Sequence, residues 1–215
     1  MDTKPFWDQI HAIESTGFLG QSELEKIVHM YSHIIGQEPC PDEMVSAYNN
    51  RALAYNALGM SEEAISDYNA GLVIEPSLRV LMGLHINRGH AYLQSKKYRD
   101  AIDDFTRVLD LDLLPEENKL PILSNRGFAY LKAGNFWDAI DDLSVVVDDD
   151  ENYMGGFIHL GDAYMGMGIT DTAIECYRSA VRIFEDIPPE ERTTEDLVEH
   201  KRVRERLSKF ETHTS

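Results

Sequence analysis

Basic charge, cysteine and long apolar runs are all scarce in this chain, and each scarcity removes a class of protein. Lys and Arg number 20 against 38 Asp and Glu, a formal net charge of -18. Nucleic acid is held by clustered Lys and Arg, so this balance argues against a nucleic-acid partner. An anionic membrane surface is disfavoured for the same reason. What the balance allows is solubility or a basic protein partner. Two cysteines, Cys40 and Cys176, make no disulfide framework, and no C-x-x-C occurs, which fits a reducing, cytoplasmic setting. No apolar run approaches the roughly 18 residues of a membrane-spanning helix, so no membrane insertion is expected. The segment from Met1 to Asp8 lacks the basic-then-apolar pattern of a secretory signal.

Catalytic and ligand signatures are also missing. Neither G-x-x-x-x-G-K-S/T nor G-x-S-x-G is present. His29 and His33 stand i, i+4 on a helix, but Met30 occupies the place a zinc protease gives to Glu, and no third ligand is close. The acidic run Asp148-Asp149-Asp150-Glu151 lacks the glycine of a calcium loop. Cys176 falls on a helix expected to be buried. No metal, no cofactor and no enzymatic activity are expected.

What the chain does contain is one phrase written four times. Asn50-Arg51-Ala52-Leu53-Ala54-Tyr55 returns as Asn87-Arg88-Gly89-His90-Ala91-Tyr92, as Asn125-Arg126-Gly127-Phe128-Ala129-Tyr130, and, altered, as His159-Leu160-Gly161-Asp162-Ala163-Tyr164. Nine residues after each Tyr comes an Ala-Ile pair, at Ala64, Ala101, Ala139 and Ala173. A repeat near 34 residues with two helical faces is the mark of stacked helical hairpins. The first helix of each copy sets a large residue, a small one and Tyr at i, i+4, i+7, as in Leu123/Gly127/Tyr130. The second sets Ala139/Leu143/Val147 at i, i+4, i+8, again one helical face. Neither helix buries its face alone, so each hairpin needs neighbours.

These residues resemble the tetratricopeptide repeat family over 45–187. The resemblance implies an all-α, right-handed α-solenoid of helical hairpins with repeats at 45–78, 82–115, 120–153 and 154–187. Pro76 alone keeps the closing proline, and Lys96 replaces the turn glycine found at Gly59, Gly134 and Gly168. Extra residues near Ser77–Val80 and Pro115–Lys119 are expected to separate repeats. Residues 1–44 read as an N-terminal helical hairpin covering the open end, with a turn at Gly17 and Gly20 and an S-x-x-E capping box at Ser22 and Glu25. Residues 188–215 read as a C-terminal capping helix after Pro188-Pro189, with Thr193 or Thr194 as N-cap. Its apolar stripe is Leu197, Val203, Leu207 and Phe210, and Lys201, Arg202, Arg204 and Arg206 make a basic face that pairs with nearby carboxylates.

Inside the phrase, charge varies in step. Arg51, Arg88 and Arg126 are each followed sixteen residues later by Asp67, Asp104 and Asp142, whereas the fourth copy has Leu160 and Cys176. Both charges vanish together, which predicts a structural ion pair across each hairpin. The resemblance further implies that Asn50, Asn87 and Asn125, with His159 in fourth place, face a concave groove. An Asn amide there can both donate to and accept from a peptide main chain. His90, Leu93, Phe128 and Leu131 are the expected neighbours that supply affinity. The alternative for the asparagines is bonding within the scaffold. The groove Lys and Arg with which chaperone-binding members of that family grip a terminal carboxylate have no counterpart here, since Asn49, Leu53, Ser46 and Gly83 stand at those positions. The expected partner is therefore an extended neutral peptide or an apolar helix. A self-assembling scaffold, which would be a homo-oligomer, and a dedicated chaperone for a secreted or assembling partner are the alternatives to an adaptor.

Overall fold

Apolar residues recur every three or four positions along most of the chain, and among the described residues they fold into eleven helices and no strand. The computed structural model describes residues 3–14, 20–74, 76–111 and 113–211. The chain divides into two compact units, Met1–Asp112 and Leu113–Ser215.

The first unit holds α1 (Lys4–Glu14), α2 (Gln21–Gly36), α3 (Pro41–Ala57), α4 (Ser61–Val73), α5 (Leu78–Gln94) and α6 (Tyr98–Asp110). Each helix packs on the one before it. Ile10 of α1 and Tyr31 and Ile34 of α2 share a core with Ala47 and Ala54 of α3. The second unit holds α7 (Glu116–Ala133), α8 (Phe136–Asp149), α9 (Met154–Gly166), α10 (Thr170–Asp186) and α11 (Thr194–Glu211). Leu143 and Val147 of α8 pack with Leu160 and Ala163 of α9, and Val203 and Leu207 of α11 close on Tyr177, Val181 and Phe184 of α10.

The hairpins close because a small residue lets the two helices approach. A Cβ on Gly127 would stand 2.8 Å from the Leu143 side chain, and one on Gly161 2.6 Å from the Tyr177 ring. The four repeat hairpins then turn in the same way. The amides of Met60, Lys97, Asn135 and Ile169 donate back to the carbonyls of Tyr55, Tyr92, Tyr130 and Tyr164 at 2.8–2.9 Å, a Schellman closure. The residue before each donor is left-handed: Gly59, Gly134 and Gly168 in three turns and Lys96, at φ 59°, in the other.

Three sequence expectations need correction. The extra residues near Ser77 and Pro115 do not separate repeats; they extend helices. α3, α5 and α7 run 17, 17 and 18 residues against 13 for α9, and each starts four residues ahead of the repeat start expected at 45, 82 or 120. Proline tolerated at a helix start explains it: Pro41 opens α3, and Pro115 is the N-cap of α7. The capping box at Ser22 is not formed, because α2 already begins at Gln21 after Gly20; the Gln21 amide instead donates to Glu25 at 2.9 Å. Leu197 is half exposed, so the buried stripe of α11 is Val203 and Leu207. Thr193 rather than Thr194 caps that helix, accepting from the Asp196 amide while Asp196 accepts from the Thr193 amide. The expected turn at Gly17 lies outside the described residues.

Candidate functional site

The arginine of each phrase is anchored first, and it sets the face that its neighbours present. Arg51 on α3 forks onto Asp67 of α4, its Nε donating to Oδ2 at 2.7 Å and Nη2 to Oδ1 at 2.6 Å. Arg88 on α5 meets Asp104 of α6 at the same two distances, and Arg126 on α7 meets Asp142 of α8 at 2.8 Å through both nitrogens. The carboxylates are buried. A third arm reaches the preceding hairpin: Arg51 Nη1 donates to Ser32 of α2 and Arg88 Nη1 to Asn69 of α4. Each of these two arginines therefore ties three helices. Tyr55, Tyr92 and Tyr130 lie beneath the guanidinium groups at 5.6–5.9 Å from ring centroid to Cζ. In the fourth hairpin Leu160 and Cys176 are both buried in one apolar cluster, and burial pushes the Cys176 thiol up to about 11.

His85 is a further member of this network. Its Nδ1 lies 2.8 Å from Asp104 Oδ1. Its position three residues before Arg88, on the same helix face, was the available signal. Burial acts to raise the Asp104 pKa, but the Arg88 and His85 hydrogen bonds outweigh it and hold the carboxyl below its ordinary range. Leu123 occupies the equivalent place in the third hairpin. There burial prevails over Arg126, with Asp138 and Asp141 adding to it, and the Asp142 pKa is raised.

The asparagines divide between the units. In the first unit Asn87 donates to Asn49 at 3.1 Å, and Asn49 donates to Asn50 at 3.0 Å, so α3 and α5 are joined by a chain of amides. Bonding within the scaffold, the alternative reading for these side chains, is therefore present. His90 is half buried against the Phe105 ring at 5.6 Å, and burial lowers its pKa. Leu93 is half buried. Asn56 on α3 donates weakly to the Tyr68 hydroxyl at 3.4 Å, while its own Oδ1 is buried without a partner.

In the second unit the expected residues separate into three places. Leu131 is buried in the core with Ala139 and Leu143, which corrects its assignment to a binding face. Its position closes the Gly134 turn against α8, and that packing claims the side chain. Asn125 lines a cavity of about 410 Å³ with Leu120, Pro121 and Ser124, opposite Asp149, Asp150 and Tyr153. Phe128 and His159 line another, of about 360 Å³, together with Lys132, Ile158 and Asp162. The Phe128 and His159 rings are 4.9 Å apart, and the Lys132 ammonium lies 5.1 Å over Phe128. His159 Nδ1 is buried with no partner, and burial drives its pKa down to about 4, so the ring is neutral at pH 7.

The remaining wall of this cavity is α11, which the sequence reading treated only as a cap. Glu195, Glu199, Arg202 and Arg206 stand at i, i+4, i+7 and i+11, one helix face, and all line the cavity. Arg206 is ion-paired with Asp162, which also accepts from the Tyr177 hydroxyl at 2.6 Å. Arg204, on another face, pairs with Glu185.

Helical hairpins tied by buried ion pairs, with a cavity of about 360 Å³ between the first helices α7 and α9 and the helix α11, define a protein-interaction module built from repeats. The tetratricopeptide repeat family matches at residues 45–77, 84–112 and 156–187. The chain thus carries tetratricopeptide repeats at these positions. Among solved structures it is similar to YrrB, a protein described as having an unusual peptide-binding site, at 19% identity and a TM-score of 0.70 over 86% of this chain and 88% of that one. It is also similar to residues 41 to the end of MamA from Desulfovibrio magneticus RS-1, at 16% identity and TM-score 0.70 over 84% and 94% of the two chains. BtubC from P. vanneervenii matches at 20% identity, TM-score 0.64, over 80% and 78%. These likenesses establish the all-α solenoid fold.

Proposed function

We propose that this chain is an adaptor that binds a segment of a partner protein along the first-helix face of its repeats. The observation that carries the reading is the cavity of about 360 Å³ in the second unit, since five residues of the first-helix phase on α7 and α9 (Phe128, Lys132, Ile158, His159 and Asp162) line it together. The orphaned atoms support the same face: Asn56 Oδ1 and His159 Nδ1, the two buried polar side-chain atoms without a partner among the described residues, both belong to first-helix positions of that phase. A buried polar atom left unpaired costs free energy that a nearby donor or acceptor relieves. Phe128 and Ile158 supply apolar area, and the half-buried Asn50, Asn87 and Asn125 supply main-chain hydrogen bonding. The relative described as having an unusual peptide-binding site agrees with a peptide ligand.

Affinity purification from cells, with cross-linking to find the bound segment, supplies the partner. Phe128→Ala and His159→Ala should then weaken its binding about tenfold or more, as expected for central anchor residues. Trp137→Ala, an exposed residue of α8 that lines neither cavity, should not. Unchanged affinity in both cavity variants and in the triple Asn50/Asn87/Asn125→Ala variant rejects the reading.

A further inference from the structure

The charges on the cavity wall say what the partner segment carries. Six charged side chains line it, three of each sign, in a chain whose net charge is -18. Arg206 and Asp162 are spent on each other, and Asp162 takes the Tyr177 hydroxyl as well. That leaves Lys132 of α7 and Arg202 of α11 on one side of the account, and Glu195 and Glu199 of α11 on the other; none of the four is spent in a hydrogen bond or ion pair among the described residues.

The two signs are also segregated. Along the face of α11 that lines the cavity the acids Glu195 and Glu199 come first and the arginines Arg202 and Arg206 follow, and the charges that act on His159 are Asp162, Lys132, Arg206 and Arg202. Burial, with Glu195 and Asp196 of the same helix, raises the Glu199 pKa against the opposing charge of Arg202. The cavity thus has a cationic part beside His159 and an anionic part toward the start of α11. A ligand of one sign gains from one part and is repelled by the other. Complementarity of this kind selects partners more than it adds raw affinity.

We infer that the cavity between α7, α9 and α11 selects a partner segment bearing both signs, a carboxylate seated by Lys132 and Arg202 and a basic side chain seated by Glu195 and Glu199. This rests on the peptide-binding reading above. It also gives α11 a second task, since the helix that covers the α10 core supplies the charges of both parts.

The test uses the full chain and four pools of fluorescein-labelled dodecapeptides with the same apolar content. One pool carries Glu only, one Lys only, one both, and one neither. Fluorescence anisotropy at low salt should show the mixed pool binding about tenfold tighter than either single-sign pool. Lys132→Gln with Arg202→Gln should erase the preference for Glu in the ligand, and Glu195→Gln with Glu199→Gln the preference for Lys. Lys201→Gln, an exposed change on α11 outside the cavity, should erase neither. Circular dichroism should be unchanged in all of them. A single-sign or uncharged pool binding as tightly as the mixed one overturns the charge reading and leaves the peptide reading standing. Failure of every pool to bind overturns both.

Discussion

At the scale of single residues, the paired loss of Arg and Asp in the fourth hairpin is the most informative comparison in the molecule. A buried carboxylate without its guanidinium costs roughly 3–5 kcal/mol, yet a buried pair exchanged whole for apolar groups can be neutral. Leu160 and Cys176 are such an exchange already present in this chain. Arg126→Leu alone and Asp142→Cys alone are therefore expected to destabilise by about 3–5 kcal/mol each, and the double variant by far less than the sum. Urea unfolding of the four proteins measures the coupling, and a coupling of zero would sink the pair. The two carboxylates also differ in sign with pH. The Asp104 pKa is held below the unfolded value by Arg88 and His85, so its contribution is present above the ordinary Asp range near ~4 and is lost as pH falls through its folded pKa. Asp104→Asn should accordingly flatten the loss of stability on acidification below about pH 4. The raised Asp142 pKa gives the opposite dependence, with its contribution present at low pH and lost as pH rises.

At the scale of elements, the four turns share one hydrogen-bond pattern and differ at one residue. Lys96 adopts φ 59° where the other three turns place glycine. A left-handed side chain is strained by about 1 kcal/mol or more, while glycine adopts that region freely. Lys96→Gly should raise stability by about 0.5–1 kcal/mol, and Gly134→Lys should lower it, both read from chemical denaturation. Helix contact imposes the reverse demand. A Cβ at Gly127 would meet Leu143 at 2.8 Å and Asp142 at 3.3 Å, so Gly127→Ala is expected to cost about 1–3 kcal/mol by forcing α7 from α8. The first hairpin accommodates Ala52 at the same place.

At the scale of the whole molecule, each unit is a row of hairpins whose last face must be covered. In the second unit the cover is narrow: Val203 and Leu207 are the buried apolar side chains among the described residues of α11, and His200 stacks on Phe184 at 4.0 Å. Leu207→Asp should release the helix, expose Val181 and Phe184, and cause self-association visible in sedimentation velocity. A variant that stays monomeric and fully helical would show that α11 is not needed as a cover.

The repeat phrase by itself determined most of the architecture. Spacing of i, i+4, i+7 can bury one face only in a helix, and four in-phase copies can bury those faces only against one another. The partnership of Arg126 with Asp142 was legible too, because its absence at Leu160 and Cys176 is written in the same chain. Other features were decided only in three dimensions. Whether Leu131 faces a ligand or the core depends on how closely α7 meets α8, a distance of contact rather than of sequence. His85 joins the ion pair because α5 and α6 bring it to Asp104. The cavity beside His159 exists because α11, far along the chain and unlike the repeats, lies where it can supply the remaining wall. Periodicity reports which side of a helix is apolar; it does not report which other helix will arrive there.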